Sequence, residues 1–307
     1  MPTESDLGAR RLDPVAVNAA LRRLARAPEP PWLHAEVARR MAEKLQVILH
    51  QPELVIDWWS GLGGGAALLA QAYPKAQRVL VEPDAAWVAR SREQVQRPWW
   101  SAGRWTGAPV SVMSEADLNM PTGAGLVWAN MMLHAIVDPT ALIAQWQRLL
   151  RADGFVMFSC LGPGTLRELR ALYERLSWPA PTPGFVDMHD FGDMLVQAGF
   201  ADPVMDQETL TLRWSTPRAL LAELRTLGGN TAPDRFGGLR TPRWRARLEQ
   251  ALESLAAPDG TLGLSFEVAY GHAFKAAPRL RAGEATTVSL DDMRAMVRSS
   301  HGRPKPR

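Results

Sequence analysis

The sequence predicts an α/β protein whose sheet is mostly parallel, with helices on both of its faces. Two observations carry this prediction. Between residues 53 and 162, short apolar runs alternate with segments that have helical periodicity. A glycine-rich turn, residues 61–65, connects the first apolar run to the helical segment after it. In such a sheet the carboxyl ends of the parallel strands meet at one edge, so we expect a ligand site there.

Residues 1–50 are expected to form an N-terminal helical segment. Prolines at 28, 30 and 31 separate two helix-prone stretches, PVAVNAALRRLARA at 14–27 and WLHAEVARRMAEKLQVI at 32–48. In the second stretch, apolar residues recur every four positions from Leu33 to Leu45. This spacing is typical of one face of an amphipathic helix.

Residues 51–276 are expected to form the main domain. The predicted strands in its first part are 53–57, 78–82, 108–113, 125–130 and 155–162, and the predicted helices are 66–74, 83–95 and 139–151. After a proline-rich connection at 178–184 we expect a helix at 187–200 and a strand at 202–214. A helical insertion over about 217–257 then precedes a last strand at 262–274. The polar, arginine-rich tail at 277–307 is expected to be flexible.

Composition narrows the class of protein. The chain has 307 residues, of which 46% are apolar and 22% charged, which is typical of a folded protein and excludes a wholly disordered one. No apolar run approaches the roughly 20 residues that cross a bilayer, and no apolar leader is present, so we expect a cytoplasmic protein without membrane contact. The single cysteine excludes an internal disulfide and a cysteine zinc site, and we predict no metal.

The glycine-rich turn is suited to a nucleotide-like cofactor. Gly61, Gly63 and Ala66 fit the pattern G-x-G-x-x-A, and Glu82 ends the second strand, 21 residues after Gly61, where a carboxylate can accept hydrogen bonds from ribose hydroxyls. The pattern alone suits a nicotinamide dehydrogenase, an S-adenosylmethionine methyltransferase or a purely structural turn. Asp57 makes the turn D-x-W-x-G-x-G, which resembles the acidic D/E-x-G-x-G-x-G turn of class I methyltransferases.

Downstream motifs resemble one family much more specifically. LGPGTLRELR at 161–170, MHDFGDML at 188–195 and YGHAFK at 270–275 resemble the malonyl-acyl-carrier-protein O-methyltransferases of biotin synthesis. The resemblance runs from about residue 50 to about residue 276. It implies a Rossmann-like class I methyltransferase sheet whose last strand is antiparallel, with N-terminal helices that close over the cofactor. It also implies methyl transfer from S-adenosylmethionine to the free carboxylate of malonyl on an acyl carrier protein.

The acceptor carboxylate is already ionised at neutral pH, so this reaction needs no general base. Our catalytic candidates are therefore Arg167, His189 and His272, which could hold the substrate, and Asn130, which ends the fourth strand, where the resemblance implies a residue near the transferred methyl. Arg170 accompanies Arg167 after the turn of LGPGTLRELR. The alternatives are a solvated helix face for the arginines and packed, hydrogen-bonded side chains for the histidines.

The candidates for cofactor binding are Asp57, Trp59, Gly61, Gly63, Glu82 and Asp117. Glu115 is the alternative to Asp117 as the acid near adenine, and a generic loop acid is a further alternative for both.

The expected partner, an acyl carrier protein, is acidic. Near Trp244 the chain carries a run of five arginines, here called the basic patch: Arg235, Arg240, Arg243, Arg245 and Arg247. Such a patch raises the rate of encounter with an acidic partner. Nucleic acid is a less favoured partner because we find no recognised nucleic-acid motif. A solvated helix face is the third alternative.

The sequence departs from the family pattern in two places. Trp59 stands at the first glycine of the cofactor turn, where its ring could fill the methionyl space or face the sulfonium. Relatives carry an F-D-x-A-x-x-Y-D segment near the N-terminus; here Arg10, Arg11 and Asp13 match its start, and its tyrosine has no counterpart. Two hypotheses follow. The chain is an active O-methyltransferase, or it is a catalytically impaired paralogue that acts as a carrier-protein-binding or regulatory module.

Overall fold

The computed structural model describes residues 12–95, 108–117 and 120–276, and these residues form one seven-stranded sheet in the order β3-β2-β1-β4-β5-β7-β6. The strands are β1 (Leu54–Trp58), β2 (Gln77–Glu82), β3 (Val110–Ser114), β4 (Ala124–Ala129), β5 (Leu150–Leu161), β6 (Phe200–Trp214) and β7 (Leu262–Lys275). Neighbouring strands from β3 to β5 are parallel, and β7 runs antiparallel to both β5 and β6. The mixed sheet with an antiparallel last strand is therefore confirmed.

Helices cover both faces of the sheet. They are α1 (Pro14–Leu24), α2 (Trp32–Leu45), α3 (Ala66–Ala72), α4 (Ala85–Val95), α5 (Pro139–Leu149), α6 (Arg167–Arg175), α7 (Met188–Gln197), α8 (Pro217–Thr226) and α9 (Pro242–Glu253). One apolar core joins the sheet to α1, α4, α5 and α7, and the other joins it to α2, α3, α6, α8 and α9. Within the described ranges, no helix is long and apolar enough to cross a membrane.

Local sequence explains where several helices begin. Asp13 caps α1 by accepting hydrogen bonds from the backbone N–H groups of Val15, at 2.8 Å, and Ala16. Threonine caps open α8 and α9, the two helices of the insertion, and a proline occupies the first turn of each. Tertiary contacts set other boundaries. β5 begins at Leu150, earlier than the apolar run predicts, because Leu150 pairs with Ala124 of β4. Arg10, Arg11 and the predicted tail at 277–307 lie outside the described residues.

Candidate functional site

The glycine-rich turn lies where the sequence predicts it, at the carboxyl end of β1, but Trp59 gives it an unusual backbone. Trp59 has φ 54° and ψ 48°, the left-handed region that favours glycine. A side chain in this region costs roughly 1–2 kcal/mol. The conformation is held by hydrogen bonds: the Trp59 N–H donates to Val81 O at 2.6 Å, and its carbonyl accepts from the N–H groups of Leu62 and Gly63. Residues Ser60–Gly63 consequently form a single helical turn.

The indole of Trp59 is buried at this turn, with 2% of the residue exposed. Its Nε1 donates a hydrogen bond to Glu115 Oε2 at 2.8 Å, just beyond the end of β3. Burial raises the pKa of Glu115, and the indole hydrogen bond opposes that rise. The side chain at the family's glycine position is therefore tied to an acid of the same site.

Glu82 is fully buried at the end of β2. Its Oε1 accepts hydrogen bonds from Gly61 N at 2.9 Å and from Ser91 Oγ at 2.5 Å, whereas its Oε2 has no partner among the described residues. Burial raises the pKa of Glu82 to about 8. Desolvation favours the neutral acid, and a ligand that donates to the open oxygen would favour the carboxylate.

Asp57 repeats this arrangement at the end of β1. Its Oδ2 accepts from Ser60 Oγ at 2.5 Å, and its Oδ1, also buried, lacks a partner among the described residues. Burial raises the pKa of Asp57 to about 7. Two neighbouring strand ends thus each present one buried carboxyl oxygen that is not yet hydrogen-bonded, which is unusual in a folded protein.

Asn130 ends β4 as predicted, but its side chain holds the turn together. Its Nδ2 donates to His34 O at 2.8 Å and to Gly63 O at 2.6 Å, and its Oδ1 accepts from Ser159 Oγ at 2.6 Å. These bonds use both amide hydrogens and join α2, the glycine turn and β5. Asn130 is buried, and in this structure its side chain holds the turn, whereas the placement of Asn130 near the transferred methyl stays a prediction.

A cavity of about 460 Å³ opens beside the turn, between the ends of β4 and β5, helix α1 and the helices of the insertion. Its deep wall includes Leu62, His34 and Met131, which are buried. Leu166 and Leu169 of the α6 region, and Leu221 and Leu248 of the insertion, make it mainly apolar. Arg218, Arg225 and Arg245, which are exposed, also line it, so the cavity leads from a cationic outer side to the glycine turn.

Two histidines that the sequence analysis missed, His34 and His134, line this cavity. His34 Nδ1 lies 3.1 Å from Leu62 O, and because a carbonyl only accepts, Nδ1 carries the proton. Burial lowers the pKa of His34 to about 4, so its ring is neutral. His134 Nδ1 accepts from the backbone N–H of Leu161 at 3.4 Å. The available signal was the position of His134, in the loop after Asn130 at the ligand edge of the sheet.

Several predicted catalytic side chains lie elsewhere. Arg167 is exposed and forms an ion pair with Glu168 at 3.2 Å, because α6 turns it to solvent. Arg170 donates to the carbonyl of Pro163 and so braces the turn before α6. The side chain of His189 is 79% exposed, and its Nδ1 lies 2.6 Å from Asp187 Oδ1. None of the three lines the cavity, and the predictions that Arg167 and His189 contact substrate are corrected.

His272 and Asp117 also need correction. His272 lies on β7, opposite Met157 and Val204, and lines a different cavity, because it lies six residues further along β7 than Phe266, which lines the first cavity. Asp117 is exposed, and its Oδ2 accepts from Ser114 N at 2.8 Å, closing a turn. Glu115, the alternative to Asp117, is the acid that faces the glycine turn.

The basic patch lies on the insertion, and most of its arginines have intramolecular contacts. The Arg240 guanidinium lies 3.6 Å from the ring centre of Phe236 and 4.1 Å from that of Trp244. Arg235 pairs with Asp13 at 2.7 Å, and Arg245 pairs with Glu249 at 2.9 Å. Arg243 is exposed, and Leu239 beside the patch is 98% exposed. The patch therefore combines positive charge with an exposed apolar side chain.

Comparison with known proteins identifies the family. A methyltransferase domain profile matches residues 58–158. A malonyl-[acyl-carrier protein] O-methyltransferase from Gallionella capsiferriformans is 38% identical over 259 residues, covering 83% of this chain and 88% of the relative. The same enzyme from Laribacter hongkongensis is 37% identical over 270 residues, covering 86% and 88%. The chain belongs to the malonyl-[acyl-carrier protein] O-methyltransferase family. Its resemblance at the three downstream motifs is thereby confirmed, and the hypothesis of an impaired paralogue is not favoured.

Solved structures agree on the fold of this family member. A candidate methyltransferase from Bacillus halodurans superposes with a TM-score of 0.52 at 14% identity, covering 78% of this chain and all of that one. The YcgJ protein from Bacillus subtilis gives a TM-score of 0.51 at 10% identity, covering 78% and 99%. At these identities the likeness establishes the class I methyltransferase fold alone.

S-adenosylmethionine is the cofactor of this methyltransferase, and the polar groups at the turn fit it. When bound, it supplies an electrophilic methyl group on a positively charged sulfur. Asp57 Oδ1 and Glu82 Oε2 have no partner among the residues that the structure describes, and as acceptors they are suited to an ammonium group and to ribose hydroxyls. The space beside them is closed, however. Asp57, Trp59 and Glu82 are each at most 2% exposed, and a Cβ at Gly61 would lie 2.9 Å from Trp87 Cε3. Across the described ranges, no cluster of three side chains suited to a metal ion occurs.

Proposed function

We propose that this chain transfers the methyl group of S-adenosylmethionine to the free carboxylate of malonyl carried by an acyl carrier protein. The observation that carries the proposal is the apolar cavity, which runs from exposed arginines of the insertion to the glycine turn. A carrier protein presents its acyl group at the end of a long phosphopantetheine arm. A narrow apolar passage with a cationic outer side suits such an arm and its phosphate.

Within this proposal, the residues of the chain act by positioning and by excluding water. The acceptor oxygen is already anionic, so no residue has to remove a proton. The buried wall of Leu62, Met131 and neutral His34 would leave the carboxylate poorly solvated and therefore more nucleophilic. Because no buried cation faces it on that wall, its charge would not be neutralised by an ion pair.

We propose that the carrier protein docks on the basic patch. Exposed Arg243 and the outward-facing side of Arg245 would meet acidic residues, and exposed Leu239 would add an apolar contact. We further propose that the ester formed serves biotin synthesis, in the cytoplasm, because masking the carboxylate allows fatty-acid enzymes to extend the chain. Nucleic acid remains the less favoured partner for this surface.

The direct test is methylation of purified malonyl-carrier protein, followed by intact mass spectrometry. We expect the carrier to gain the mass of one CH2 unit, because a methyl group replaces the acid proton, and acetyl-carrier protein, which lacks the free carboxylate, to remain unchanged. No gain on malonyl-carrier protein, under conditions in which the cofactor binds, would refute the proposed acceptor.

Docking is tested separately with Arg243→Glu and the matched control Arg213→Glu, an exposed arginine on β6. We expect the first to raise the KM for the carrier by about tenfold with little change in kcat, because charges at the rim of an interface mainly steer association. Equal KM values for the two variants would refute docking at the patch. The pathway is tested by expressing this chain in a biotin-requiring strain that lacks this methyltransferase. We expect the strain to grow without added biotin.

A further inference from the structure

The acids of the cofactor turn are not equally engaged. Asp57 and Glu82 each keep one buried oxygen without a partner among the described residues, whereas Glu115 has a partner supplied by the chain itself. That partner is the indole N–H of Trp59, a single donor on a flat aromatic ring. The base of S-adenosylmethionine is also a flat aromatic ring with an N–H donor. Trp59 therefore offers Glu115 the same kind of contact that the base would make.

We propose that the indole of Trp59 occupies the place beside Glu115 that would hold the base of the cofactor. The indole must move away from Glu115 before the cofactor can bind there. The inference rests on the proposed function, since it presupposes that the chain binds S-adenosylmethionine. It assigns Trp59 a role as the residue that sets cofactor affinity.

The backbone conformation at this position has support other than the hydrogen bond between the indole and Glu115. Trp59 is held in the left-handed region, which an L-residue enters only when the surroundings impose it. Here the imposing contacts are the bond from the Trp59 N–H to Val81 O and the buried packing of its ring. Withdrawal of the indole would free Glu115 and would not itself remove the backbone bond from the Trp59 N–H to Val81 O.

Helix α1 belongs to the same apolar core as Trp59. Val17, Leu21 and Leu24 share one apolar cluster with Trp59 and Trp87. The Arg90 guanidinium donates to the carbonyls of Leu24 at 3.3 Å, Ala25 at 3.2 Å and Pro28 at 3.1 Å, and so clamps the end of α1. The end of α1 is thus fixed within the apolar core that also contains Trp59.

The test measures binding of S-adenosylhomocysteine, the spent form of the cofactor, by isothermal titration calorimetry. It compares the wild-type chain with Trp59→Phe, which keeps a ring but loses the N–H, and with Trp59→Gly, which removes the side chain. Trp214→Phe, on the edge strand β6, is the control. We expect Trp59→Phe to bind about tenfold more tightly than the wild type, the equivalent of one hydrogen bond. Trp59→Gly should bind at least as tightly as Trp59→Phe, and Trp214→Phe should match the wild type.

Tryptophan fluorescence supplies a second readout. Ligand should shift the emission of the wild type and of Trp214→Phe, and the shift should be absent in Trp59→Phe, because the moving indole is gone. Weaker binding by both Trp59 variants would overturn the inference alone, since the indole would then support the cofactor. Binding by neither the wild type nor any folded variant would overturn the proposed function as well. If Trp59→Gly does not fold, Trp59→Phe decides the outcome.

Discussion

The burial of Glu82 leads to a quantitative prediction of how the stability of the protein depends on pH. The carboxyl is fully buried, and its pKa lies at about 8 instead of the ordinary 4.5. Each pKa unit corresponds to about 1.4 kcal/mol, so the difference amounts to about 5 kcal/mol as an upper value. The folded state holds this proton more tightly than the unfolded state does. Stability from this group is therefore complete below pH 4.5 and is lost as pH rises to about 8.

Glu82→Gln removes the titration while keeping an acceptor for Gly61 N. We expect the free energy of unfolding of the wild type to fall between pH 5 and pH 9 relative to that of the variant, by up to about 4 kcal/mol. Urea unfolding at pH 5, 7 and 9 measures the difference. Asp57 is present in both proteins, so its own titration largely cancels. The exposed Glu93→Gln, on the same helix as Ser91, is the control and should follow the wild type.

A constant difference in stability between wild type and Glu82→Gln across this pH range would refute the reasoning. It would mean that Glu82 is ionised when folded and that the turn solvates its charge. The open Oε2 would then have a partner that the structure does not show, and the case for a ribose contact there would fail.

Three further predictions concern the cavity and the corrected residues. Leu169→Trp should fill the cavity and abolish methylation of malonyl-carrier protein while leaving S-adenosylhomocysteine affinity within about twofold; an equal loss of both would contradict two separate sites. His189→Ala and His272→Ala should each retain the wild-type kcat/KM for malonyl-carrier protein. A loss above about tenfold in either variant would show that this histidine contributes to the reaction after all. Asn130→Ala should lower the free energy of unfolding by about 3 kcal/mol or more in urea titrations, because it removes three buried hydrogen bonds; a change below about 1 kcal/mol would show that the network is dispensable.

The elements of the fold could be predicted because their causes are local. The prolines at 28, 30 and 31 separate α1 from α2, and a capping residue with a following proline marks the start of α5, α8 and α9. The carboxyl-end position of Asp57 and Glu82 followed from the strand pattern alone. Their burial and their unpartnered oxygens did not, because both depend on which helices pack above the turn.

What the sequence did not reveal at the site has one physical cause. Asn130 has the predicted position, but both of its amide hydrogens are already donated to His34 O and Gly63 O, and its Oδ1 accepts from Ser159 Oγ. His34 was missed because its contact with the glycine turn exists only once α2 has docked beside it. A sequence pattern locates a strand end, whereas the partners that a side chain has already engaged are set by tertiary structure.

Helix α1 links the two halves of the proposed reaction. Leu21 and Leu24 pack in the cluster that contains Trp59, and the same two residues line the apolar cavity beside the glycine turn. At its start, Asp13 pairs with Arg235 of the basic patch. A carrier protein whose acidic groups engage Arg235 would compete with Asp13 for that guanidinium and weaken the hold on α1. The helix that shares an apolar core with Trp59 is thus attached to the surface on which we expect the substrate to arrive.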